Sequence, residues 1–265
     1  MGGSDGAYPR YGDLIFDQAG NIYGTAAGGW PDYDGSVYQL TPTNGGWEQN
    51  VLYQLDDLAY AGVIFDRGGS LYGTTYFGGS GDGSVFQLTP SGSGWVQKTI
   101  YTFTGQSDGR NPVGGLIFDE SGNLYGTTIS GGPRDGGTVF MLTPQLNGTW
   151  TFTLLYAFRC LTNCSEAGPW SSLVMDSAGG LYGTTYSDGL GYGGIYGYGS
   201  VFKLTPSNGG WTETDLYDFT GGSDGCGPLG NVIFDAKGNL YGTTYACGAN
   251  SCNGDGCGVV FEITP

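Results

Sequence analysis

One segment returns five times along the chain, and that repetition limits the fold more than any other feature. Leu14-Ile15-Phe16-Asp17 is followed by Tyr23-Gly24-Thr25, and Val63-Ile64-Phe65-Asp66 by Tyr72-Gly73-Thr74. The pattern recurs at Leu116-Ile117-Phe118-Asp119 with Tyr125-Gly126-Thr127, and at Leu173-Val174-Met175-Asp176 with Tyr182-Gly183-Thr184. Its last copy is Val232-Ile233-Phe234-Asp235 with Tyr241-Gly242-Thr243. The five tyrosines are 49, 53, 57 and 59 residues apart, so the loops lengthen while the strand segments keep their size. Each repeat reads as four short strands. The first, such as Gly115 to Asp119, is apolar on both faces, as an innermost strand between packed neighbours must be. An Asp-x-x-Gly turn leads to a second strand at Tyr-Gly-Thr. A third, such as Thr138 to Leu142, is expected to stop at Thr143-Pro144, because proline cannot donate to a ladder. The fourth begins at Trp47, Trp95, Trp150 or Trp211, whose recurrence in register marks them as blade packing.

Four antiparallel strands repeated at roughly this period are the signature of propeller blades. A flat meander would leave long exposed edges, and closure into a ring removes most of them. The expected fold is all-β: one domain, 1–265, forming a five-bladed β-propeller with blades near 12–55, 61–104, 114–159, 171–220 and 230–265. Thr264-Pro265 matches Thr205-Pro206, after which a fourth strand begins, so the last blade is expected to hold only three strands. The edge Val259 to Ile263 would then be open to strand addition, with another copy of the chain, or sequence outside this segment, expected to supply the strand.

The third repeat carries a resemblance. Gly122-Asn123-Leu124-Tyr125-Gly126-Thr127-Thr128, then Gly131-Gly132, then Gly137-Thr138-Val139-Phe140 through Leu142-Thr143-Pro144 resembles the Gloeobacter–Verrucomicrobia tandem repeat of exported bacterial proteins. The resemblance covers nearly the whole chain, and it is distantly similar to kelch and NHL blades. It implies an exported, propeller-like protein and brings no catalytic residues with it.

Composition narrows the function classes. Acidic residues number 24 against 8 basic, a net charge of −16, which repels phosphate backbones and anionic lipid surfaces. Nucleic acid and membrane insertion are therefore not expected, and no apolar stretch approaches the roughly 20 residues of a membrane helix. There is no histidine, so the commonest general base and metal ligand is missing. Met1 to Ser4 is no signal peptide, so an export signal is expected upstream. Six cysteines favour disulfides and an oxidising, extracellular or cell-surface location. The expected pairs are Cys160–Cys164, Cys247–Cys252 and Cys226–Cys257, the first two because each shares one loop.

Three sets of residues are candidates for chemistry. The Asp that closes each first strand reads as turn structure, its carboxylate accepting backbone N–H groups. A second acidic set, Asp5, Asp57, Asp108, Glu166 and Asp224, lies in the loops joining blades and would ring a channel mouth. Such a ring could hold Ca²⁺, though turn chemistry explains it better; no other cofactor is expected. Paired carboxylates for glycoside hydrolysis are available, but no pair stands apart from the others. The third set is asymmetric. The loops between strands two and three and the loops between blades share one face, which carries Trp30, Tyr33, Asp34, Trp170, Tyr192, Tyr196 and Tyr198. Exposed rings among Asp, Asn and Gly suit a neutral polar ligand, with saccharides the leading class. The expectation is a non-enzymatic binding module; a structural repeat unit of a larger assembly, then a glycoside hydrolase or lyase, are the alternatives.

Overall fold

Every repeat becomes one antiparallel sheet. The computed structural model describes residues 8–9, 12–28, 34–92, 94–159, 168–187, 197–249 and 256–264. Blade 1 holds β1 (Ile15–Phe16), β2 (Ile22–Ala26), β3 (Ser36–Thr43) and β4 (Gly46–Gln54). Blade 2 holds β5 (Ile64–Phe65), β6 (Leu71–Thr75), a helical turn α1 (Gly78–Gly81), β7 (Ser84–Ser91) and β8 (Gly94–Thr102). Blade 3 holds β9 (Ile117–Phe118), β10 (Leu124–Thr128), β11 (Asp135–Pro144) and β12 (Trp150–Arg159). Blade 4 holds β13 (Val174–Met175), β14 (Leu181–Thr185), β15 (Ser200–Ser207) and β16 (Gly210–Asp218). Blade 5 has three strands, β17 (Ile233–Phe234), β18 (Leu240–Thr243) and β19 (Val260–Ile263). Strands follow chain order in each sheet, so the fold is a five-bladed β-propeller whose last blade is three-stranded.

The innermost strands are shorter than the sequence suggests, two residues each. β11 ends at Pro144 as expected, but the other prolines sit differently. Pro42, Pro90 and Pro206 do not end their strands but pair with Trp47, Trp95 and Trp211. Each is one step from the closing pair of a two-residue hairpin. That position exchanges no N–H···O bonds in an antiparallel ladder, so the missing donor costs nothing. A bulge recurs at Val37/Tyr38, Val85/Phe86 and Val201/Phe202 and turns the outer strand at the same level of each blade.

The glycine of Tyr-Gly-Thr has a packing cause. A Cβ on Gly73 would lie 2.6 Å from the ring of Phe86, its cross-strand partner, and one on Gly183 2.8 Å from Phe202. Gly24 under Tyr38 and Gly242 under Phe261 repeat the arrangement. The tip of each aromatic ring thus lies over a bare backbone, in space that a side chain would occupy.

The chain divides into two compact units, Met1–Thr104 with Asn111–Leu124 and Leu142–Phe152, and Gly105–Arg110 with Tyr125–Met141 and Thr153–Pro265. In the first, the tyrosine face of blade 1 (Ile15, Tyr23, Val37) packs on the opposite face of blade 2 (Val63, Phe65, Leu71, Phe86, Leu88, Trp95). The second repeats this between Val174, Tyr182 and Val201 of blade 4 and Val232, Phe234, Leu240, Phe261 and Ile263 of blade 5. Tyr72 meets Phe118 edge-on at 5.2 Å and Trp150 at 5.9 Å, and Tyr125 meets Trp211 at 6.5 Å. Blade-on-blade contact is therefore one interface used repeatedly.

Candidate functional site

The repeated carboxylates belong to their turns. Asp17 accepts N–H bonds from Ala19 and Asn21, the side-chain amide of Asn21 and the hydroxyl of Tyr23. Asp66, Asp119, Asp176 and Asp235 accept the same two backbone bonds in their own repeats. Burial pushes Asp17, Asp176 and Asp235 up, but these bonds more than offset it and hold all three below the usual carboxylate range. A carboxylate with a lowered folded value stabilises the fold above its unfolded value, about 3.9, and loses that contribution as pH falls through the folded value. Stability measured by denaturant titration should therefore drop as the pH is taken below about 4. Asp176→Asn should flatten part of that fall, and an unchanged profile would show that the turn contributes nothing.

Of the second acidic set, Asp5 and Glu166 lie outside the described residues. Asp224 accepts both the N–H and hydroxyl of Thr220, the N–H of Gly222 and the hydroxyl of Tyr217. Burial raises Asp224, but these bonds lower it by more, so it too sits below the ordinary range. Asp108 is buried, and its carbonyl accepts the hydroxyl of Thr138. Asp57 accepts the N–H of Phe77 at 2.6 Å, and burial holds its carboxyl above the usual range despite that bond. Among the described residues no group of three or more metal-ligating side chains converges.

The cysteine expectation needs correction. Cys226 is bonded to Cys247, with Cα atoms 5.3 Å apart, and not to Cys257; Cys247 is therefore not paired with Cys252. Cys257 is disulfide-bonded to a partner outside the described residues, and the expected Cys160–Cys164 pair also lies outside them. The cause is a backbone bridge that blade 3 makes between Arg110 and Ser130 and blade 5 between Cys226 and Ala246. It brings the loop entering the blade against the residue after Ala246. Gly131 occupies that next position in blade 3 with φ 71°, and Cys247 adopts φ 62° there. Loop sharing, the sequence argument, gives way to a strand-like contact between two loops.

The decorated loops carry a feature the sequence reading passed over. Trp30, Tyr33, Tyr192 and Tyr196 lie outside the described residues. Asp34 is exposed at the entry to β3, and Tyr198 packs against the core cluster of blade 4 and covers Gly221. Trp170 is half-buried and faces Tyr186, centroids 6.2 Å apart. In blade 2 the equivalent pair is Tyr60 and Tyr76, 5.1 Å apart at 72°, and Phe77 extends it at 4.5 Å. Blade 3 has Val113 and Ile129 at these positions, both buried. Tyr76, Tyr186 and Tyr245 directly follow the repeated Thr-Thr, where blades 1 and 3 have Ala27 and Ile129. Comparing that one position across repeats would have found them. Tyr186, Tyr245 and Phe77 are exposed.

A cleft of about 410 Å³ opens at the other end of the hairpins, between the Asp66 and Asp119 turns, with Phe65, Arg67, Tyr72, Phe118, Glu120 and Trp150 among its walls. The hydroxyl of Tyr72 donates to Asp66 and accepts from Gln87, and burial with the nearby carboxylate holds that phenol well above its ordinary value.

Comparison with known proteins bears on these sites. The fold is similar to a putative oxidoreductase (glucose dehydrogenase) from Thermus thermophilus, at TM-score 0.55 and 17% identity over 98% of this chain and 85% of that one. A GH43 endo-arabinanase from Bacillus licheniformis aligns over 99% of this chain and 95% of its own, at 14% identity and TM-score 0.45. No curated protein matches the chain. The expectation of a non-enzyme is corrected here: the similar Thermus thermophilus structure is described as a putative oxidoreductase, so this fold does not exclude catalysis. The model of the Gloeobacter/Verrucomicrobia repeat matches residues 1–196, and the chain belongs to that family.

Proposed function

We propose that this chain is an exported binding module that takes a neutral polar ligand, a saccharide before other classes, on its decorated loops. The observation that carries the reading is the pair of aromatic side chains at equivalent loop positions, Tyr60 with Tyr76 and Trp170 with Tyr186, where blade 3 keeps buried aliphatics. Rings that leave a face or edge to solvent stack on the apolar faces of sugars, while nearby backbone and carboxylates serve the hydroxyls. Decorated loops on a rigid scaffold are where function concentrates. The Cys226–Cys247 bond supports folding in an oxidising compartment, as export requires. A net charge of −16 favours neutral over anionic glycans.

Trp170→Ala should abolish or weaken binding on a glycan array roughly tenfold or more, the size expected when one stacked ring worth about 1–2 kcal/mol is lost. Its melting temperature should stay within a few degrees of the parent. A large loss of stability with unchanged binding would show that Trp170 is only the core of its own loop.

A further inference from the structure

The 410 Å³ cleft is built from residues of the first compact unit alone, the turns of blades 2 and 3 and the rings between them. Its aromatic wall follows from the repeat. Tyr72 is buried, Phe118 meets it at 5.2 Å and 88°, and Trp150 meets it at 5.9 Å and 69°. The charges beside that wall break the repeat. The residue after the repeated Asp is Gln18, Ser177 or Ala236 in blades 1, 4 and 5, but Arg67 and Glu120 in the two blades that border the cleft. Only 8 residues of the chain are basic, so a guanidinium at this rim is not a property of the surface at large. Arg67 and Glu120 are both exposed, and neither forms an ion pair among the described residues. Apolar walls with a few placed polar groups are the usual form of a small-molecule site.

The carboxylates of the two turns supply charge but few acceptor positions. One oxygen of Asp66 accepts the N–H groups of Gly68 and Ser70, and the other accepts the hydroxyl of Tyr72. Asp119 is committed in the same way to Ser121 and Asn123. Aromatic rings attract a cation through their quadrupole without accepting strong hydrogen bonds from it. A primary ammonium would therefore leave N–H donors unmet here, whereas a fully alkylated one has none to satisfy. We propose that this cleft binds a small zwitterion with a quaternary ammonium head, the cation held by the rings and Glu120 and the anionic group by the Arg67 guanidinium. This site is separate from the saccharide-binding loops and does not depend on that reading. The net charge of −16 draws the cationic head toward the protein, and Arg67 offsets the repulsion of the anionic end.

Titration with trimethylglycine followed by NMR tests the proposal, with glycine and tert-butylacetate as controls. Glycine keeps both charges and loses the methyl groups; tert-butylacetate keeps the shape and the anionic group and loses the positive charge. Trimethylglycine should bind about tenfold or more tightly than either. Glu120→Lys and Arg67→Glu should each weaken its binding about tenfold. Both side chains are exposed, so neither substitution should move the melting temperature by more than a few degrees. Trp170→Ala should leave trimethylglycine binding intact, which separates this site from the saccharide reading. A protein that does not bind trimethylglycine would overturn the proposal. So would glycine or tert-butylacetate binding as tightly, or full affinity in either charge variant.

Discussion

Phe202→Ala should cost about 3–5 kcal/mol, the range for emptying a fully buried phenylalanine site. The ring is wholly buried, lies across the bare backbone of Gly183 and meets Phe158 at 4.9 Å, edge-on. Strands on both sides are fixed by their ladders, so the cavity cannot collapse cheaply. Gly183→Ala tests the same packing from the other side. Its Cβ would stand 2.8 Å from the Phe202 ring, which is fully buried. Denaturant titration of both variants checks this, and losses below about 1 kcal/mol would show that the ring does not pack as described.

The second large effect concerns the cross-link. Replacing Cys226 and Cys247 together by serine should lower stability by about 3 kcal/mol, the chain-entropy value for a closed loop spanning a sequence separation of 21 residues. The substitution should also loosen the loop leaving β18, since Cys247 holds a left-handed conformation that glycine has at the matching place in blade 3. Thermal melts of the double variant against the parent measure the effect. An unchanged transition would mean that these loops open before the fold does and that the bond constrains nothing in the cooperative unit.

Much of the architecture could be read from residues that recur in register. The Asp-x-x-Gly turn, the Tyr-Gly-Thr strand and the Trp of the fourth strand each do one job five or four times, and local chemistry dictates that job. The three-stranded last blade followed from the same comparison. What escaped was set by neighbours distant in sequence. The glycine of Tyr-Gly-Thr has no cause within its own strand; the cause is an aromatic ring on the next one, such as Phe86 over Gly73. The proline stop that holds at Pro144 fails at Pro42, whose place one pair from the hairpin frees it from the ladder. Cys226 pairs with Cys247 through a bridge between loops that no spacing rule contains. In the candidate site, Trp170 was found because it breaks the repeat, whereas Tyr76 and Tyr186 were hidden by following a repeated motif directly.

Hydrogen exchange read by mass spectrometry, with and without a saccharide identified on an array, tests the central claim most directly. Added ligand should slow exchange in peptides around Tyr60, in the segment following Tyr76, and around Trp170 and Tyr186. The hairpin turns at Asp66 and Asp119, which border the 410 Å³ cleft at the other end of the blades, should exchange as before. Protection at those turns instead, with none on the aromatic loops, would contradict the assignment of the binding face.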